Sequence, residues 1–135
     1  MRCPLKREER AEVYWQAKSN TQIVNDKSID KKYVYDRVFN PDENNAVVFN
    51  EIGKEIIDYA LEGFNSTIFA YGQTSSGKTH TMMGPGQEFV GKDDRGLIPR
   101  GIEQIFDHIK NSHGKQFLLR VSYMEIYNDK LSYVR

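Results

Sequence analysis

The chain has little with which to cross-link itself, span a bilayer or carry a one-signed field. A single cysteine, Cys3, excludes an intrachain disulfide and points to a reducing compartment. Neither sign of charge is in excess. Nineteen Lys and Arg side chains balance nineteen Asp and Glu, so nothing global argues for nucleic acid or an anionic membrane as partner. No apolar run approaches membrane-spanning length, and the opening MRCPLKREER lacks the apolar core of a secretory signal. Repeats and low-complexity tracts are absent. What is there is a chain of 135 residues, 39% hydrophobic and 28% charged. That is the length and composition of one globular domain, expected to be soluble and intracellular.

The hydrophobic period changes along the chain. Residues 1–12 are highly charged and read as a loop. KYVYDRVF, residues 32–39, is rich in aromatic and β-branched side chains and predicts a strand. NPDENN follows with turn chemistry and several N-cap candidates. From Ala46 to Leu61, Val48, Ile52, Ile56 and Ala60 recur every four residues, the stripe of an amphipathic helix. Gly63 stands where a C-terminal cap belongs. Gly53 costs that helix about 1 kcal/mol relative to alanine, which close packing would explain.

STIFAYG, residues 66–72, is apolar after its start and reads as a central strand covered on both faces. Helix, buried strand, glycine-rich turn and new helix make an α/β layout. Residues 84–96, GPGQEFVGKDDRG, form a long polar loop. Ile98, Ile102, Ile105, Phe106 and Ile109 mark another amphipathic helix, with Pro99 in its first turn. KQFLLRVSYMEIY, residues 115–127, predicts a final strand with Phe117, Leu119, Val121 and Tyr123 on one face.

GQTSSGKT, residues 72–79, carries the chemistry. It satisfies G-x-x-x-x-G-K-[ST], a pattern that chance produces in a chain this long at roughly the half-percent level, so a phosphate site is expected. Gly72 and Gly77 let the backbone turn and bring N–H groups against phosphate oxygens. Lys78 reaches the β- and γ-phosphates as a point charge, and Thr79 offers a hydroxyl to Mg²⁺. The helix starting near Gly77 adds its N-terminal N–H groups and dipole. His80 faces a base or is a tolerated surface residue; the motif leaves both open. His108 and His113, without cysteines nearby, read as solvated histidines rather than ligands. Glu125 and Asp129 are candidates to support Mg²⁺ through water, Asp129 equally as a turn residue.

The longer run TIFAYGQTSSGKTHTMMG, residues 67–84, resembles the nucleotide site of the kinesin motor domain. YVYDRVF, GLIPRGIEQIF and SYMEIYND are similar to further segments of that family, in the family's order, so the likeness covers essentially the whole chain. TMMG together with FLLRVSYMEIYN is most similar to the centromere-associated branch. The resemblance implies a P-loop NTPase with a central mixed sheet flanked by helices. It implies ATP with Mg²⁺, held by Gly72, Gln73, Thr74, Ser75, Ser76, Gly77, Lys78 and Thr79. His80 would flank the adenine and Pro4 would cover its other side, although the family's Arg-x-Arg-Pro reads MRCPL here. It further implies microtubules as partner, a homodimer formed by a coiled coil outside this chain, and a cytoplasmic, cytoskeletal place at the spindle or kinetochore.

The family's Asn-x-x-Ser-Ser-Arg-Ser-His and Asp-Leu-Ala-Gly-x-Glu segments do not occur in these residues. The expectation is therefore a partial motor domain over 1–135, with the γ-phosphate-sensing segments and neck absent. By itself it would be an ATP-binding portion that is not motile. A non-motor nucleotide-binding remnant or interaction fragment is the alternative, and no residue here is assigned a catalytic role.

Overall fold

The computed structural model describes residues 15–25, 28–86 and 94–133. The first elements are three antiparallel strands, β1 (Trp15–Ser19), β2 (Gln22–Asn25) and β3 (Ser28–Val34), in the order β1-β2-β3. A tight turn at Asn20–Thr21 joins the first two, and Ile23 opposes Ala17 on one side and Tyr33 on the other. Trp15 and Tyr33 pack ring against ring across β2, centroids 5.3 Å apart. Ile23, at the centre of this sheet, is buried.

The strand expected at 32–39 overlaps β3 only at its start. β3 ends at Val34, and the backbone leaves the ladder to bond to the β1–β2 turn through Tyr35 N–H to Thr21 O (2.8 Å) and Val38 N–H to Asn20 O (2.6 Å). Those two N–H groups go to the turn and not to a neighbouring strand, and the consecutive Val38 and Phe39 that follow are both buried. Arg37 stabilises the bend. Its guanidinium lies 4.4 Å above the Phe39 ring, bonds both oxygens of Glu51 at 2.6 and 3.0 Å, and bonds Glu43. Glu43 also accepts the Asn40 N–H at 2.5 Å.

The expected helix over 46–61 is present as α1 (Asn45–Val48), one π-helical turn (Phe49–Gly53) and α2 (Lys54–Leu61). Asn44 is its N-cap, the side-chain oxygen accepting Val47 N–H at 3.1 Å. Gly53 sits in the π turn, where an added Cβ would lie 2.6 Å from Phe49 Cδ2, so the missing side chain makes room for the ring. Gly63 ends the helix with φ +102°. The helix expected from Ile98 is α4 (Leu97–Asn111), with Pro99 in the first turn. Gly101 lets α4 approach α2 closely: a Cβ there would meet Ile57 Cδ1 at 3.2 Å. Phe39, Val48, Phe49 and Leu97 form the core, with Val47, Ile57 and Ile68 packed against it.

Two expected strands differ. Residues 64–72 run without a ladder partner among the described residues. Ile68 turns to the core while Phe69 is 82% and Tyr71 95% exposed, so one face is covered and not both. Residues 115–123 are likewise irregular and exposed. Regular structure resumes only in a hairpin, β4 (Met124–Tyr127) and β5 (Lys130–Tyr133). Its two-residue turn, Asn128–Asp129, has φ of +50° and +59°, the left-handed pair that suits the right-handed twist of flanking strands and that Asn and Asp tolerate. An extended backbone keeps a strand's dihedrals without a partner, but the ladder hydrogen bonds need one.

Among the described residues, no helix is long and apolar enough to cross a membrane.

Candidate functional site

The glycine-rich run folds into a loop that leads into a short helix, α3 (Lys78–Met82). Gly72 begins it, and a Cβ there would collide with Ser76 Oγ, so the loop closes on itself through the missing side chain. Gln73 O accepts Ser76 N–H at 3.2 Å, while Thr74 and Ser75 form the exposed tip, Ser75 at φ +65°. Gly77 turns the chain into the helix at φ +87°, and nothing lies within 4 Å of where its Cβ would stand. The backbone there is left-handed, a conformation glycine adopts without strain, and the space beside it is open.

Lys78 closes the loop from the helical side. Its Nζ donates to Gly72 O at 2.8 Å and Gln73 O at 2.7 Å. The charge is thus held across the loop by neutral carbonyls, weaker partners for an ammonium than an anion would be. Thr79 is exposed at the first turn, and His80 is half-buried behind it. The helix is only five residues, and its backbone bonds include Thr81 N–H to Gly77 O (2.9 Å), Met83 N–H to Thr79 O (2.7 Å) and Gly84 N–H to His80 O (2.9 Å). An α-helix leaves its first-turn N–H groups without intrahelical acceptors, and so short a helix offers those rather than a large macrodipole.

Of the expected site residues, Gly72 through His80 therefore lie on one loop and one helical turn, with Lys78 reaching back to the first two. Pro4 lies outside the described residues. Glu125 is exposed on β4 and Asp129 occupies the hairpin turn. No group of three or more His, Cys, Asp or Glu side chains that could hold a metal ion occurs among the described residues. His108 is exposed and packs its ring edge-on against Phe117, centroids 6.1 Å apart; His113 is exposed.

Sequence reasoning missed Asn45. It is fully buried at the start of α1, and its Nδ2 donates to His80 O at 3.0 Å and Asp94 O at 2.9 Å. A signal existed: Asn45 stands three and four residues before Val48 and Phe49, on the apolar stripe. A polar side chain at a core-facing position has to find partners, and here they are main-chain carbonyls on two other segments.

A family model described as the kinesin motor domain matches residues 4–133. The chain belongs to the kinesin motor domain family. Among curated proteins it is similar to human centromere-associated protein E, 49% identical over 124 residues, which covers 92% of this chain and 4% of that protein. It is also similar to the Arabidopsis thaliana kinesin-like protein KIN-7M, chloroplastic, at 40% over 121 residues, covering 90% of this chain and 11% of the relative. Among solved structures, a fast kinesin superposes with a TM-score of 0.81 at 36% identity, over 90% of this chain and 34% of that chain. The fold is thus the kinesin-type P-loop NTPase fold, and the likeness to the centromere-associated branch holds. The chain spans 4–11% of these curated relatives and about a third of the solved motor.

Proposed function

We propose that these residues are the ATP-binding portion of a kinesin-like microtubule motor, one that couples Mg-ATP hydrolysis to movement along microtubules. The observation that carries the proposal is the closed loop with Lys78 Nζ across its mouth and open space at Gly77, in a run of family-specific sequence. The residues fit a magnesium nucleotide. Main-chain N–H groups of Gln73 to Thr79 would cradle the phosphates. Lys78 would exchange two neutral carbonyls for anionic phosphate oxygens, so that both partners of the hydrogen bond carry charge. Thr79 would give its hydroxyl to Mg²⁺, whose other positions fall to phosphate and water, as that ion prefers. His80 and Pro4 would flank the adenine. The bound ion neutralises charge on the phosphates; the chain's own part is to bind and orient them.

Microtubules are the proposed partner, and the cytoplasmic cytoskeleton, with the spindle or kinetochore within it, the proposed location. The balanced charge gives no reason to add nucleic acid, and we assign no membrane insertion. Residues 1–135 are read as a partial motor domain, with dimerisation assigned to a coiled coil outside them. The exposed apolar side chains of 69–71 and 117–127 favour a second reading for these residues by themselves, a nucleotide-binding remnant without motility.

Titration with a fluorescent ATP analogue in Mg²⁺ tests the site. Saturable binding by the wild type is expected, weakened at least tenfold in Lys78→Ala. Equal affinity in both, or preference for GTP, would refute it.

A further inference from the structure

The buried amide of Asn45 joins three segments that are distant in sequence. Its helix, α1, is anchored in the core by Val48 and Phe49. One N–H holds the carbonyl of His80, one residue beyond Thr79 and two beyond Lys78. The other holds the carbonyl of Asp94, where the chain returns from the 84–96 loop. The same point is closed by main chain: Gly96 N–H donates to Met83 O at 3.2 Å, and a Cβ on Gly84 would lie 3.0 Å from Asp94 O. Arg100 Nε adds a bond to Arg95 O at 3.0 Å. Two acceptors facing one side-chain nitrogen require an amide, since a carboxylate or a hydrocarbon of the same shape cannot donate twice.

α3 has few bonds of its own. A five-residue helix is below the length that holds itself in water, so its position depends on what it is tied to. We propose that Asn45 is a positioning residue for the phosphate loop: it ties the turn carrying Lys78 and Thr79 to the core helix, and that tie sets the affinity for the magnesium nucleotide. The inference rests on the nucleotide reading above. Without the tie, the turn samples other positions, and binding has to restore the one in which the lysine and hydroxyl converge.

The test is amide hydrogen exchange and Mg-ATP binding on the whole chain, comparing wild type with Asn45→Asp, which keeps the shape and loses both donors. Asn45→Ser, which keeps one donor in a smaller volume, serves if the aspartate does not fold. Ile23→Val, in the three-stranded sheet, is the control for general destabilisation. Expected is exchange about tenfold faster at residues 79–84, matching loss of about one hydrogen bond. The amides of β1 to β3 should be unchanged, and Mg-ATP should bind about tenfold more weakly. Ile23→Val should move neither the 79–84 amides selectively nor the affinity. Uniform loss of protection in Asn45→Asp would make the residue merely structural and overturn the proposal, as would unchanged exchange at 79–84. If the wild type binds no ATP, the nucleotide reading fails and takes the affinity claim with it. The exchange pattern still decides whether the tether exists.

Discussion

Two glycines of α4, one at its N-cap and one inside it, should respond differently to alanine. Gly96 is the N-cap of α4, with φ −73° and ψ −177°, an extended conformation any residue adopts, so alanine meets no dihedral strain there. The obstacle is contact. A Cβ would sit on the carbonyl group of Met82 and 2.5 Å from Met83 N, and main chain cannot swing aside as a side-chain end can. Overpacking of this kind costs about 1–3 kcal/mol, and alanine is also a poorer N-cap than glycine by roughly 1 kcal/mol. Gly96→Ala should therefore destabilise by about 2–4 kcal/mol. Gly101 is inside α4, and its Cβ would meet only Ile57 Cδ1 at 3.2 Å, the end of a flexible, half-buried side chain. Moving that methyl a few tenths of an ångström is set against a helix-propensity gain of up to about 1 kcal/mol. Gly101→Ala should be neutral or stabilising. Urea unfolding followed by far-UV circular dichroism, at concentrations where the chain is monomeric, reads both. A midpoint fall of roughly 1–2 M is expected for Gly96→Ala, and none for Gly101→Ala. A Gly96→Ala midpoint equal to wild type, or a larger loss at Gly101, would refute the steric reasoning.

Acid should weaken the Arg37 bend. Hydrogen bonding to Arg37 lowers the Glu51 carboxyl, and Glu43 is lowered first by the Asn40 N–H and then by Arg37. Both start from 4.5, so their contribution is complete above that value and is lost as pH falls through the lowered ones. Arg37→Met should flatten stability against pH below about 4.5, and an unchanged acid limb would count against the pairing. The 135 residues alone should show negligible microtubule-stimulated ATPase activity, because the family's two γ-phosphate-sensing segments do not occur in them. Robust stimulation by polymerised tubulin, abolished by Lys78→Ala, would contradict this. At high concentration the chain should self-associate through its unpaired extended segments. Phe69→Lys and Val121→Lys, at positions 82% and 94% exposed, should suppress that in sedimentation velocity. A sharp, concentration-independent melt of a wild-type monomer would remove the expectation.

Local signals were legible where the local chain decides the outcome. The period of Val48, Ile52 and Ile56, the cap at Gly63 and the first-turn Pro99 each read correctly, because a helix makes its hydrogen bonds within its own segment. The π turn at Phe49–Gly53 did not show in the period, although Gly53 marked the place where a ring packs. Strands fared differently. STIFAYG has a strand's composition, yet a ladder needs a neighbour that the segment cannot specify. KYVYDRVF has one too, but its strand stops at Val34, beyond which Tyr35 and Val38 N–H bond to the β1–β2 turn.

The sequence by itself determined the P-loop motif and the family, because glycines at 72 and 77, the lysine at 78 and the hydroxyl at 79 lie in one contiguous stretch of backbone. Only the tertiary structure decided that Asn45, more than thirty residues earlier, grips the carbonyl of His80, and that Gly96 must stay bare against Met82. Those contacts join segments whose spacing carries no signal; they exist once helices pack and a buried amide has to find its acceptors.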